Sequence, residues 1–158
     1  MPRPVTRLGR VVACCLVALT AAFTTSACSV SPGDKVGVTM KEWSIGVSPA
    51  SVRSGRVRLA IDSVGAQQHD LALILAKDLA EVPRQADGTL DLSGTYRPID
   101  EIKAFNPGHY IATSPNLNAG EYLVVCTLSS TVDGKVVPHF AQGMVAHLRI
   151  VPRKRKSQ

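Results

Sequence analysis

The stretch 121–150 reads EYLVVCTLSSTVDGKVVPHFAQGMVAHLRI and carries most of the information in this sequence about fold and chemistry. It contains Cys126, His139 and Met144 in that order, and His69 lies upstream in VGAQQHDLALI. A thiolate, two imidazoles and a thioether are the ligands that suit a copper ion cycling between two oxidation states. These four side chains are therefore the candidate metal ligands.

Alternation of apolar and polar residues predicts where the four donors lie. In EYLVVCTL it places Cys126 on the inward face of a strand, and in MVAHLRIV it places Met144 inward and His147 outward. His69 takes the first inward position of a third strand. With His139 in the loop before the last strand, all four donors would meet at one end of a sheet.

The whole chain favours β structure. Its 158 residues include 10 prolines and 12 glycines spread along the sequence, which suits short strands and turns better than long helices. About seven to eight strands predict an all-β, Greek-key β-sandwich over 36–151. We expect a bulge or bend near 41–42. We also expect one or two helical turns at 77–82, followed by a long surface excursion over 83–108 with another helical turn at 99–105.

Twelve residues separate Cys126 from His139. Within them, TVDGKV at 131–136 predicts a small hairpin with an Asp-Gly turn. A hairpin returns its two ends to the same place, so His139 could still reach Cys126.

The N-terminal segment 1–27 has the layout of a secretory signal: three arginines, an apolar run and small residues. The apolar run is shorter than the roughly 20 residues of a permanent membrane anchor. The sequence before Cys28 resembles the lipobox of bacterial lipoproteins, in which the cysteine is acylated. Residues 28–35 would then form a tether to an extracytoplasmic, lipid-anchored protein. Ordinary cleavage, giving a freely secreted protein, is the alternative.

Removal of the leader would change which cysteines are available to form disulfides. Cys14 and Cys15 would leave with it and Cys28 would carry lipid, so Cys126 has no other partner in the exported body. An unpaired cysteine in an oxidising compartment is a buried inert thiol, a reactive thiol or a metal ligand.

The net charge of +6 is concentrated at the termini. Without 1–27 the chain has 15 basic and 12 acidic residues, and without the four basic residues at 153–156 it has 11 and 12. The basic tail, 152–158, suggests contact with an anionic surface or a solvated terminus. A nearly neutral body gives no reason to expect nucleic acid as a partner.

The pattern resembles the cupredoxins, the blue copper proteins, and most closely their sulfocyanin-like branch. The resemblance covers roughly 36–151. The residues that carry it are Gly65 to His69 before LALIL, Gly120-Glu121-Tyr122 leading to Cys126, and Pro138-His139 with Gly143-Met144.

This resemblance implies one copper ion with His69, Cys126 and His139 as trigonal ligands and Met144 as a weak axial ligand. Asp70 follows the first histidine where many cupredoxins have Asn, and we expect it to hydrogen-bond the ligand loop. His109 and His147 are alternative ligands only if the inserted hairpin displaces His139.

The expected function is one-electron transfer at the outer face of the membrane by a monomer, not an enzyme. The imidazole edge of His139 would be exposed as the electron port, within an apolar patch for transient redox partners. The patch would consist of Val137, Pro138, Phe140 and Gly143. Copper delivery or storage, and a metal-free interaction module of the same fold, are the alternatives.

Overall fold

The computed structural model describes residues 35–154, and these form strands and short turns with almost no helix. The strands are β1 (Lys35–Lys41), β2 (Ser44–Ser48), β3 (Ser51–Arg53), β4 (Gly55–Arg56), β5 (Arg58–Ser63), β6 (His69–Leu75), β7 (Asp100–Phe105), β8 (Tyr110–Thr113), β9 (Asn116–Leu117), β10 (Gly120–Val125), β11 (Ser129–Val132), β12 (Lys135–Pro138) and β13 (Val145–Val151).

Most strands belong to two mixed sheets. The first has the order β2-β1-β5-β8, and the second has the order β3-β13-β10-β6-β7. Strand β1 pairs parallel with β5, and β3 pairs parallel with β13, while the remaining pairs in these sheets are antiparallel. The predicted all-β sandwich is confirmed.

The main core lies between the two sheets, where alternate side chains of each sheet meet. Val36, Val38 and Met40 of β1 and Leu59 and Ile61 of β5 contribute from the first sheet. From the second sheet, the three central strands β6, β10 and β13 contribute Leu71, Leu73, Tyr122, Val124, Leu148 and Ile150. The predicted alternation is therefore correct for these strands.

A second core covers the outer face of the second sheet. Ala72 and Ile74 of β6 and Leu123 and Val125 of β10 pack there against apolar residues of the long excursion and the ligand loop. The covering residues are Val82, Leu90 and Phe140. Because both faces of β6 are buried, its sequence after Asp70, LALIL, is continuously apolar.

The segment between β6 and β7 contains less helix than predicted. Its helical turns are two short 3-10 turns, Leu79–Glu81 within the predicted turn at 77–82 and Gly94–Tyr96 within the excursion. The helical turn predicted over 99–105 is wrong, because Asp100–Phe105 pairs with β6 as an edge strand. Pairing supplies backbone hydrogen-bond partners to β6, which a helix could not do. The irregularity predicted at 41–42 is a two-residue turn that joins β1 to β2.

The predicted leader 1–27, the lipid site Cys28 and the end of the basic tail lie outside the described residues. Arg153, at the start of the tail, donates hydrogen bonds from its backbone N–H to Ser54 Oγ and from Nε to Ser54 O. None of the helical segments within 35–154 is long and apolar enough to cross a membrane.

Candidate metal centre

Three adjacent strands of the second sheet place the predicted donors at one end of the sandwich. His69 is the first residue of β6, Cys126 directly follows β10, and Met144 directly precedes β13. His139 begins a 3-10 turn, His139–Gln142, between β12 and Met144. Since β6, β10 and β13 are neighbours, the ends that carry these residues lie side by side.

The thiol and the two imidazoles form one cluster. Cys126 Sγ lies 3.9 Å from Nδ1 of His69 and 3.4 Å from Nδ1 of His139. The two imidazole centroids are 5.7 Å apart with an interplanar angle of 73°. His69 and Cys126 are 0% exposed and His139 is 2% exposed. Of the groupings of His, Cys, Asp and Glu in residues 35–154, this is the one whose donor atoms converge as a metal site requires.

Met144 is also buried and is tied to this cluster through the backbone. The N–H of Cys126 donates to the carbonyl oxygen of Met144 at 3.1 Å, and the N–H of Met144 donates to that of His139 at 3.2 Å. The side chain of Met144 lies in the main core with Cys126. All four predicted residues therefore belong to one packed unit.

The protonation of the cluster suits a metal ion. Burial raises the pKa of the Cys126 thiol to about 12 and lowers the pKa of both His69 and His139. Without a metal the thiol is protonated and the imidazoles are neutral near pH 7. Neutral imidazole is the form that binds metals, and a bound cation stabilises the thiolate that burial disfavours. The donor set therefore fits a copper ion.

Asp70 fixes the chain immediately after Cys126. Its Oδ1 accepts hydrogen bonds from the N–H of Thr127 at 2.6 Å and of Leu128 at 3.3 Å, and its Oδ2 accepts one from the Thr127 hydroxyl. The carboxylate thus joins the start of β6 to the segment that follows β10. The predicted contact of Asp70 with the ligand loop is confirmed.

Glu42 lies behind His69 and was not predicted. Its Oε1 accepts hydrogen bonds from the N–H of Ala66 at 2.7 Å and of Gln67 at 2.6 Å, and it lies 3.7 Å from His69 Nε2. Hydrogen bonds from backbone N–H groups, first its own and then that of Gln67, lower the pKa of Glu42. Glu42 is therefore an anion that holds the loop before the first histidine.

The prediction of an exposed imidazole edge at His139 is wrong. Its Nε2 lies 2.8 Å from Ser130 Oγ on β11, and the Trp43 ring packs edge-on at a centroid distance of 5.1 Å. The hairpin β11–β12 folds back beside the imidazole. Phe140 is buried as well, with the guanidinium of Arg84 4.6 Å above its ring, so it contributes little to the predicted docking patch.

No pattern in the sequence indicated that Glu42, Trp43 and Ser130 would reach the cluster. Each contact depends on how a turn or hairpin folds over the sheet end, and the only related signal was the break in alternation near 41–42. The alternative ligands His109 and His147 are both exposed and lie outside the cluster.

Comparison with known proteins finds similar folds among solved structures. No protein-family model and no curated protein matches the sequence. Among solved structures, auracyanin B is similar with a TM-score of 0.53 and 20% identity, over 77% of this chain and 91% of that chain. Reduced auracyanin from the photosynthetic bacterium Roseiflexus castenholzii gives 0.51 and 17%, over 75% and 98%. Auracyanins are blue copper proteins of the cupredoxin fold. The chain therefore has the cupredoxin fold, with a His-Cys-His cluster that fits a type 1 copper site.

Proposed function

We propose that this protein is a one-electron carrier that binds a single copper ion. Cys126, His69 and His139 would hold the ion, with Met144 as a weak axial ligand. The observation that carries the proposal is the convergence of two imidazole Nδ1 atoms on one buried thiol, at 3.4 and 3.9 Å. A bound copper would supply the redox step by cycling between Cu(I) and Cu(II).

The residues around the site would keep its geometry constant and exclude water. His69 and Cys126 are attached to the ends of two paired strands, and Asp70 anchors the segment after the cysteine. Every proposed ligand is at most 2% exposed. Little rearrangement of the protein is therefore needed when the charge at the site changes, which favours electron transfer.

Because His139 is covered, the electron route we propose runs through Trp43. The Trp43 indole is partly exposed and contacts the imidazole edge-on. It is thus an aromatic connection between the surface and a proposed ligand. Redox proteins that dock transiently beside Trp43 would be the partners, with the carrier itself a monomer.

The proposed location is the outer face of the cell membrane, with an acylated Cys28 as anchor. The signal-like composition of 1–27 supports export, and free secretion is the alternative. Labelled palmitate should be incorporated by the wild-type protein and not by Cys28→Ala. Absence of label from both proteins would rule out the anchor. We propose no contact with nucleic acid.

Copper titration of the purified protein tests the proposed site. An intense visible band from thiolate-to-copper charge transfer should appear at one equivalent of Cu(II), with the narrow copper hyperfine splitting of a type 1 site in EPR spectra. Cys126→Ser should lose the band, and the matched histidine control His147→Ala should keep it. A colourless protein with tetragonal copper would contradict the proposal.

Copper delivery or storage is a second candidate, favoured by the burial of every proposed ligand. A storage protein must release copper slowly, and the burial of His139 would slow this release. Voltammetry separates the two functions, because only an electron carrier requires a reversible copper couple. Copper binding without such a couple would favour storage.

A further inference from the structure

The outer nitrogen of His139 is engaged by the inserted hairpin. Its Nε2 lies 2.8 Å from Ser130 Oγ, and the same hydroxyl donates to Gln67 Oε1 at 3.4 Å. Gln67 lies in the loop that leads to His69. Ser130 therefore connects the two loops that carry the proposed histidine ligands.

The direction of these hydrogen bonds determines which ring nitrogen of His139 carries the hydrogen. The Ser130 hydroxyl has one hydrogen to donate, and Gln67 Oε1 can only accept, so both contacts are hydrogen bonds only if the hydroxyl donates to Gln67 and accepts from His139. The lone pairs of Ser130 Oγ then face His139, so the hydrogen between them belongs to Nε2. The opposite nitrogen, Nδ1, carries the lone pair and points at Cys126 Sγ.

The geometry of the hairpin places Ser130 beside His139. Asp133 (φ 49°) and Gly134 (φ 73°) both have left-handed backbone. Two-residue hairpin turns whose twist matches that of the flanking strands require this conformation. Four residue pairs align the two strands, with Ser130 opposite Val137. The N–H of His139 then donates to the carbonyl oxygen of Leu128 at 2.8 Å, which closes the base of the hairpin.

We propose that Ser130 is a positioning residue, which holds His139 in the tautomer and orientation that present Nδ1 to the metal. The inserted hairpin then shields the site from solvent and orients one of its proposed ligands. This inference rests on the proposed copper site, where the partner of a ligating imidazole commonly sets metal affinity.

The imidazole of His69 differs from that of His139 in the contacts of its outer nitrogen. His69 Nε2 is buried, and none of the residues in 35–154 gives it a hydrogen bond, since Glu42 Oε1 is 3.7 Å away. Of the two proposed histidine ligands, His139 is therefore the one whose outer nitrogen is hydrogen-bonded within the described residues. Loss of the Ser130 hydroxyl should therefore change the ring signals of His139 more than those of His69.

Nitrogen NMR of the metal-free full chain tests the proposal without copper. The chain has four histidines, so 15N-histidine labelling gives a small set of ring signals. Near pH 8, wild type should show a protonated Nε2 at His139 whose hydrogen exchanges slowly with water. Ser130→Ala should speed this exchange at least about fivefold, as expected for one lost hydrogen bond. Ser130→Thr, which keeps the hydroxyl, and the exposed neighbour control Ser129→Ala should match wild type.

Copper affinity provides the second readout. Competition with a chelator should show about 10- to 100-fold weaker Cu(II) binding by Ser130→Ala, with Ser130→Thr close to wild type. A proton on Nδ1 of wild-type His139, or equal exchange and affinity in Ser130→Ala, would overturn the proposal. If no variant binds copper, the proposed function fails, whereas the NMR result still decides the role of Ser130 in orienting the ring.

Discussion

The Asp70 carboxylate links β6 to the segment after Cys126, and its removal should destabilise the fold. It accepts three hydrogen bonds from the segment after Cys126: from the N–H groups of Thr127 and Leu128 and from the Thr127 hydroxyl. Asp70→Ala removes the acceptor from all three donors while leaving the strand pairing of β6 intact.

The size of the effect follows from these contacts. A hydrogen bond to a charged group contributes about 1.5–3 kcal/mol. The Thr127 hydroxyl can turn toward water, so the main loss comes from the two backbone N–H groups. Thr127 and Leu128 are only half-buried, and water will partly replace the lost acceptor. Taking the lower figure for each N–H gives a decrease in unfolding free energy of about 3 kcal/mol.

Urea unfolding of the metal-free protein measures this loss. For a domain of this size, about 3 kcal/mol corresponds to a midpoint lowered by at least about 1 M. Asp62→Ala is the matched control, because Asp62 is an exposed carboxylate on β5. We expect its unfolding free energy to stay within about 0.5 kcal/mol of wild type. If Asp70→Ala behaves like this control, the carboxylate does not anchor the ligand loop.

Four further predictions concern proton release, acid stability, the electron route and the ligand loop. Burial raises the pKa of the Cys126 thiol to about 12, so copper binding near pH 8 should release one proton from it, and log K should rise by about one per pH unit. A copper affinity independent of pH would contradict thiolate ligation. Burial lowers the pKa of His69 and His139 below the ordinary 6.5, so the unfolded chain binds more protons than the folded one as the pH falls through 6.5. The metal-free protein should then lose up to about 1.4 kcal/mol per pH unit for each histidine, and level urea midpoints between pH 7 and 5 would refute this. Trp43→Leu should slow electron self-exchange, measured by NMR line broadening, while Trp43→Phe should retain more of the rate; equal rates would exclude the indole route. Gly143 has φ 115°, and a Cβ there would lie 2.8 Å from the Trp43 carbonyl oxygen, so Gly143→Ala should lower the unfolding free energy by about 1–3 kcal/mol, with thermal unfolding as the check. A melting temperature equal to wild type would contradict this close approach.

The prediction of helix over 99–105 failed for a tertiary reason. DEIKAF has no strict alternation, and its charged residues suit a surface helix as well as an edge strand. What decides between them is the open edge of β6, whose backbone groups gain hydrogen bonds only if this segment extends alongside it. That edge is formed by another part of the chain and is invisible in the local sequence.

The sequence by itself determined the two-sheet fold and the identity of the candidate donors. Period-two alternation assigned inward faces to β1, β5, β10 and β13, and the same phase placed Cys126 inward. Burial of apolar side chains dominates the energy of these strands, so local pattern and global structure agree.

Tertiary structure alone decided what surrounds the donors. The contacts of Glu42 with His69, and of Trp43 and Ser130 with His139, join segments that are remote from each other in sequence or separated by a hairpin. Such contacts depend on the path of a turn across the sheet end, which hydrophobic periodicity does not encode. The donors could therefore be predicted from the sequence, whereas the cover that hides one of them from solvent could not.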